Sequence, residues 1–200
     1  MQPTTHALAS VFDDRSVDPG TNLLVSGPPL SGVRRVAFEA ATHPDAATLV
    51  ITTRYGADRV LAELSAAGVD TATVGIVDCV TRRQDRTHDS DMVRYAPSPA
   101  ALTRIGVQFA NLFERLRDDE PGQTRVVVDS VSAPLLYGET ESVFRFLHVL
   151  AGRVADAGAL GVHVIEPPAH DEETNRTLAG LFDGRVTVED NAVTGVDLDG

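Results

Sequence analysis

The stretch that most constrains this chain runs from Asn22 to Phe38, NLLVSGPPLSGVRRVAF. An apolar run enters a turn rich in Gly and Pro, bounded by Gly27 and Gly32, and an amphipathic segment follows. That is the strand–loop–helix frame of a P-loop, in which backbone N–H groups at a helix N-terminus cradle an anion. The full motif, G-x-x-x-x-G-K-[ST], continues with a lysine that reaches the phosphates and a hydroxyl that holds Mg²⁺. Here those positions are Val33 and Arg34. No lysine occurs anywhere in the sequence, so all 17 basic residues are arginines and none elsewhere supplies the missing ammonium. The frame therefore specifies a fold, while the chemistry that normally rides on it is altered.

Beyond the loop the chain alternates between two periodicities. Residues 47–53 and 74–80 are apolar, β-branched runs without polar alternation, which predicts strands buried on both faces. Between them Val60, Leu61 and Leu64 share a helical face that stops at Gly68. Residues 92–95 predict a short edge strand. Leu102, Ile105, Phe109, Leu112, Phe113 and Leu116 then recur at intervals of three and four, a long amphipathic helix with Ser98 as N-cap and Pro99 at its first position. The run RVVVDS at 125–130 predicts a central parallel strand with Asp129 at its C-terminal end. Val143, Phe144, Leu147, Leu150 and Val154 form another helix, 160–165 a strand ending at Glu166, and 174–182 a shorter helix. Residues 185–188 and 193–198 close the chain as a hairpin about Glu189, Asp190 and Asn191.

This alternation predicts an α/β fold of three layers, a mainly parallel sheet with helices on both faces and a C-terminal β-hairpin, its site at the strands' C-terminal ends. Residues 1–17 read as an N-terminal extension with a covering turn around Leu8, Val11 and Phe12, and 18–200 as one domain.

A net charge of −12, with 29 acidic residues, argues against a nucleic-acid partner, because such affinity rests on neutralising phosphates. Acid excess without lysine fits a chain kept soluble in concentrated salt, where a Debye length of about 3 Å leaves charge to act through hydration and contact pairs. Residues 81–91 read as a solvated loop, since Asp85, Asp89 and Asp91 largely cancel Arg82, Arg83 and Arg86. The single cysteine, Cys79, can form no internal disulfide and reads as a buried thiol. His163 and His170 flank Glu166, but a strand end followed by Pro167 and Pro168 fixes no ligand spacing, so no metal site is expected there. No apolar stretch reaches the roughly 18 residues of a membrane span, and residues 1–10 lack the basic start and apolar run of a signal peptide; the expected location is cytoplasmic.

The Gly27–Gly32 loop, the VVVDS strand and the closing FDGRVTVED segment occur in the order found in RecA-superfamily ATPases. With SPAALTRIGVQF and VVVDSVSAPLLY, the chain from about Asp18 to Asp190 resembles, more narrowly, an uncharacterised halophile-type branch of the archaeal KaiC-like group. The resemblance implies a RecA-like P-loop NTPase fold whose cofactors are ATP or ADP with Mg²⁺. It places the phosphate loop at Gly27, Pro28, Pro29, Leu30, Ser31, Gly32, Val33, Arg34 and Arg35, and matches Asp129 to the Walker B aspartate that holds Mg²⁺ through water. Three departures stand out. Leu30 occupies a place usually given to Gly or a small residue, and a positive φ is costly for its branched side chain. Arg34 replaces the Mg²⁺-binding hydroxyl with a group that has no lone pair for a cation. The second strand ends Thr52-Thr53-Arg54-Tyr55, where the family carries a glutamate that orients the attacking water.

Losing one charge-assisted hydrogen bond costs roughly 1.5–3 kcal/mol, about tenfold to a hundredfold in affinity. With the Mg²⁺ ligand and the water-orienting carboxylate also absent, most of what phosphoryl-transfer catalysis consists of is missing. The expectation is a degenerate P-loop domain, a non-hydrolysing regulatory or scaffolding protein that binds nucleotide weakly or not at all. It would act through a protein partner or a homo-oligomer. The alternative is a slow ATPase that uses Arg34 or Arg35 at an atypical loop, or a composite site completed by a partner. In the degenerate case the two arginines point to solvent or pair with acids.

Overall fold

Apolar runs without alternation become strands covered on both faces, and amphipathic stripes become the helices that cover them. The computed structural model describes residues 5–8, 12, 15–81, 90–119 and 123–198. A short ribbon of β1 (His6–Ala7) and β2 (Ser16–Val17) precedes β3 (Asn22–Ser26), α1 (Val33–Ala41), β4 (Ala46–Thr52), α2 (Ala57–Ala66), β5 (Val74–Asp78) and β6 (Val93–Tyr95). Then come α3 (Leu102–Asp119), β7 (Gln123–Asp129), α4 (Ser132–Tyr137), α5 (Thr140–Asp156), β8 (Leu160–Ile165), α6 (Glu172–Ala179), β9 (Gly184–Glu189) and β10 (Ala192–Leu198). Eight strands form one sheet in the order β10-β9-β3-β8-β7-β4-β5-β6. Every neighbouring pair is parallel except the β9–β10 hairpin.

From β3 the chain passes β8 and β7 to reach β4, whereas from β8 it returns past β3 to β9. These connections run in opposite directions over opposite faces of the sheet, so a crevice opens outside the C-terminal ends of β3 and β8, the topological switch point where open α/β sheets bind ligands. Val36, Ala37 and Ala40 of α1 and Val60 and Leu64 of α2 pack on one face, together with Leu8, Phe12 and Val17. Ile105, Phe109, Leu112 and Leu116 of α3 cover the other, beside Val143, Leu147, Leu150 and Val154 of α5 and Leu178 of α6. Each such burial contributes about 1.5–3 kcal/mol, which makes the paired stripes the main source of cohesion.

The structure departs from the sequence expectation in a few places. α3 begins at Leu102 rather than at Pro99, because Ala101 N–H donates to the Ser98 carbonyl and Leu102 N–H to Ala100, a separate turn ahead of the helix. The short α4, which follows Asp129 almost directly, has too few residues to show a period. Arg125 is wholly buried, with no carboxylate partner among the described residues: its guanidinium donates to the carbonyls of Ala40, at the end of α1, and Ala7, at 2.9 and 2.8 Å. Burial pushes its pKa down to about 10, and the contacts tie the N-terminal ribbon to α1 and β7. Cys79 is buried as expected, and burial pushes its thiol pKa up. The bulk of the polar loop at 81–91, with Arg82, Arg83 and Arg86, lies outside the described residues, as do Val11 and 120–122.

Candidate functional site

At the C-terminal edge of the sheet, β8 stands between β3 and β7, so the end of β8 separates the loop at 27–32 from Asp129. Gly27 N–H donates to the Ile165 carbonyl at 3.3 Å, and Ser31 N–H closes the loop on the Pro28 carbonyl at 3.2 Å. Leu30 takes the tight conformation despite its side chain, with φ of 66°. Its side chain is 99% exposed, so the cost is the intrinsic left-handed penalty of about 1–2 kcal/mol with no clash added. The two glycines have no substitute. A Cβ on Gly27 would stand 2.5 Å from the Val188 carbonyl oxygen, and one on Gly32, where φ is 81°, would stand 2.4 Å from Asn191 Oδ1. Both neighbours belong to the β9–β10 hairpin. Asn191 N–H donates to the Ser31 carbonyl at 2.8 Å, and Arg35 Nη2 donates to the Asn191 carbonyl at 2.6 Å. The terminal hairpin thus closes on the loop from one side.

Arg34, in the first turn of α1, points inward. Its Nε donates to Asp129 Oδ2 at 2.7 Å, and its Nη1 donates to Glu63 of α2. The guanidinium lies 4.5 Å from the Phe38 ring centroid and 4.8 Å from that of Tyr55, within cation–π range. Arg59 completes the cluster, reaching Glu63 Oε1 at 2.9 Å and stacking 3.8 Å from the Tyr55 ring. Arg35 pairs on the surface with Glu39. Both arginines therefore pair with acids, Arg34 deep in the crevice and Arg35 at its rim.

Asp129 is 1% exposed, and the Thr52 hydroxyl lies 3.3 Å from its Oδ1. Burial pushes the Asp129 pKa up to about 6, against the pull of Arg34. Burial also lowers the Arg34 pKa, but Asp129 and Glu63 outweigh it and the guanidinium ends above its ordinary value. Burial raises that of Glu63, and Arg34 and Arg59 more than reverse it. One donor in the crevice, Arg34 Nη2, is buried without a hydrogen-bond partner among the described residues; Ser31 Oγ, likewise unpaired, lies over Gly27 and not among the residues that line the space. The remaining space is a cavity of about 230 Å³ bounded by Leu30, Gly32, Val33, Arg34, Asp129 and Asn191, with Arg54 and Tyr55 at the end of β4 and Glu166 at the end of β8.

Glu166 is held by an ion pair to Arg54. His163 does not approach it: its ring lies buried 3.1 Å from Asn22 Oδ1 and 4.5 Å from the Phe182 ring, with its pKa pushed down to about 3 by burial. Among the described residues no three His, Cys, Asp or Glu side chains gather as a metal site. Asp78, at the end of β5, accepts N–H bonds from Ala57, Val80 and Thr81 at 2.7, 2.8 and 2.8 Å, which is a capping role for α2. Sequence reasoning missed Glu63, Tyr55 and Phe38 as partners of Arg34. The local signals were the Arg34–Phe38 and Arg59–Glu63 spacings, which read as ordinary i,i+4 neighbours on a helix.

The strand order, the switch point and the loop between β3 and α1 define a RecA-like P-loop α/β domain. The same fold occurs in the KaiC-like protein PH0186 from the hyperthermophilic archaeon Pyrococcus horikoshii OT3, with a TM-score of 0.58 and 14% identity over 93% of this chain and 80% of that one. It occurs also in PH0321 from Pyrococcus horikoshii, solved in complex with an unknown peptide (TM-score 0.65, 14% identity, 86% of this chain and 78% of that one). PH0250 from Pyrococcus horikoshii OT3 is a third, at a TM-score of 0.55 and 12% identity over 88% of this chain and 86% of that one. Identities this low carry the fold alone. The chain belongs to the family of unknown function DUF7504, which matches residues 20–188. No curated protein matches it. Among the described residues no helix is long and apolar enough to cross a membrane.

Proposed function

We propose that this is a P-loop domain whose nucleotide site is closed by its own arginine, and that it serves as a non-hydrolysing regulatory or scaffolding protein acting through protein contacts. The observation that carries the reading is the 2.7 Å bond from Arg34 Nε to Asp129 Oδ2. In an active P-loop site a hydroxyl and this aspartate hold Mg²⁺. Here a guanidinium supplies the positive charge beside the carboxylate, and it cannot coordinate a cation. The residues present do not fit Mg²⁺. Admitting the ion means displacing Arg34 from both Asp129 and Glu63, so Mg²⁺ would have to compete with a pair already in place.

The end of β4 also offers no carboxylate to orient an attacking water. The end of β4 carries Thr53, Arg54 and Tyr55, and Arg54 is engaged with Glu166. In a phosphate-release assay with ATP and Mg²⁺, the protein is expected to match the protein-free blank. Saturable turnover that disappears in Asp129→Ala would overturn the reading. One observation favours a second one: Arg34 Nη2 is a buried donor without a partner among the described residues, and a phosphate oxygen would satisfy it without any metal. That alternative is a weak, Mg²⁺-independent nucleotide binder.

A further inference from the structure

We propose that the outer face of α3 and α5 is where a second copy of this chain docks, the two copies related by a twofold axis. This stands apart from the reading of the P-loop crevice, and its test reads mass rather than nucleotide. The two helices run in the same direction along one side of the sheet, and three adjoining hollows of about 540, 390 and 700 Å³ follow the groove between them. The middle of the groove is apolar: Val107 is 47% and Val149 57% exposed, with Phe146 half-buried between them. Gly106 and Ala110, one helical turn apart on α3, leave room for close approach.

The ends of the groove differ in charge. Where both helices begin, Arg104 and Arg145 line it with no carboxylate among the lining residues, Glu139 and Glu141 at the start of α5 lying outside the lining. Where both end, Glu114, Asp118 and Asp156 line it, and Arg117 and Arg153 offset two of these three carboxylates. One end is left net positive and the other net negative, about an apolar centre. A strip of that kind complements itself when reversed, which is what a twofold axis lying in the interface at right angles to the helices does. Arg104 of one copy then lies over Glu114 of the other. An 18-residue helix is about 27 Å long and a helix pair about 20 Å wide, so each copy covers about 500 Å² and the pair about 1,000 Å². That is the lower bound for a specific interface, and it fits a reversible, concentration-dependent dimer.

Sedimentation equilibrium on the full chain in KCl, across a concentration series from about 5 to 500 μM, tests the proposal. The average mass should climb from that of one chain towards that of two. Val149→Glu should weaken the association at least tenfold, as should Arg104→Glu, and Arg104→Glu combined with Glu114→Arg should restore it. A single-chain mass at every concentration would overturn the proposal. So would a dimer indifferent to Val149→Glu or left broken in the charge-exchanged pair while all variants keep the native circular dichroism.

Discussion

Arg34→Met is expected to cost about 3–5 kcal/mol of folding stability at pH 8, because it leaves Asp129, 1% exposed, as a buried carboxylate without its guanidinium. For a domain of this size that is a fall in Tm of roughly 10 °C or more. The loss should depend on pH in a defined sense. The Asp129 pKa in the folded protein, about 6, lies above the value near 4 of an unfolded chain, so the native state holds the extra proton in between. Stability from this group therefore falls as the pH rises from about 4 to about 6 and is level above that. Removing Arg34 raises the folded pKa further and extends the fall to higher pH. The deficit of Arg34→Met relative to the natural protein should then be small near pH 5 and largest at pH 8. Urea unfolding at the two pH values measures it. Adding Asp129→Asn should recover more than half of the loss at pH 8, since the stranded charge is gone. A single-variant deficit under about 1 kcal/mol at pH 8 would mean the pair is open in solution.

The second large effect is expected from Val33→Lys combined with Arg34→Thr. Val33 lines the cavity, so a lysine there extends its ammonium into the space beside the loop. The shorter threonine vacates the guanidinium volume and offers a hydroxyl near Asp129. Two charge-assisted interactions at roughly 1.5–3 kcal/mol each amount to about a hundredfold to ten-thousandfold in affinity for ATP with Mg²⁺. In the absence of nucleotide the variant should be less stable than the natural chain, because Arg34 is gone. Saturating ligand should return a few kcal/mol, about 2.7 at a hundred times Kd. Affinity raised less than tenfold, in a variant that folds, would show that the hairpin at Asn191 and the loop itself close the site, not Arg34.

The parts of the fold that could be read from the sequence are those encoded by short-range periodicity. The α3 stripe from Ile105 to Leu116, the Val126–Val128 run and the terminal hairpin all appear where their spacing puts them, because burial on one or both faces dictates residue type within a few positions. The start of α3 shifted because the Ser98 carbonyl is used in a turn, a competition between neighbouring hydrogen bonds that residue types alone do not decide. The site was legible as a loop and a strand-end aspartate, and not as a closed network. Arg34 meets Asp129 and Glu63 at sequence separations of 95 and 29, and Asn191 meets Ser31 from the far end of the chain. Such contacts are set by strand order. Arg125 was opaque for the same reason, its partners being backbone carbonyls on α1 and β1 that carry no side-chain signature.

The central claim, that Arg34 stands in place of the metal and closes the pocket, is tested most directly by isothermal titration calorimetry of the natural chain with ATP and ADP, with and without Mg²⁺, in concentrated KCl. The account predicts no saturable heat up to millimolar nucleotide, and no gain from Mg²⁺. A micromolar Kd that tightens when Mg²⁺ is added would contradict it.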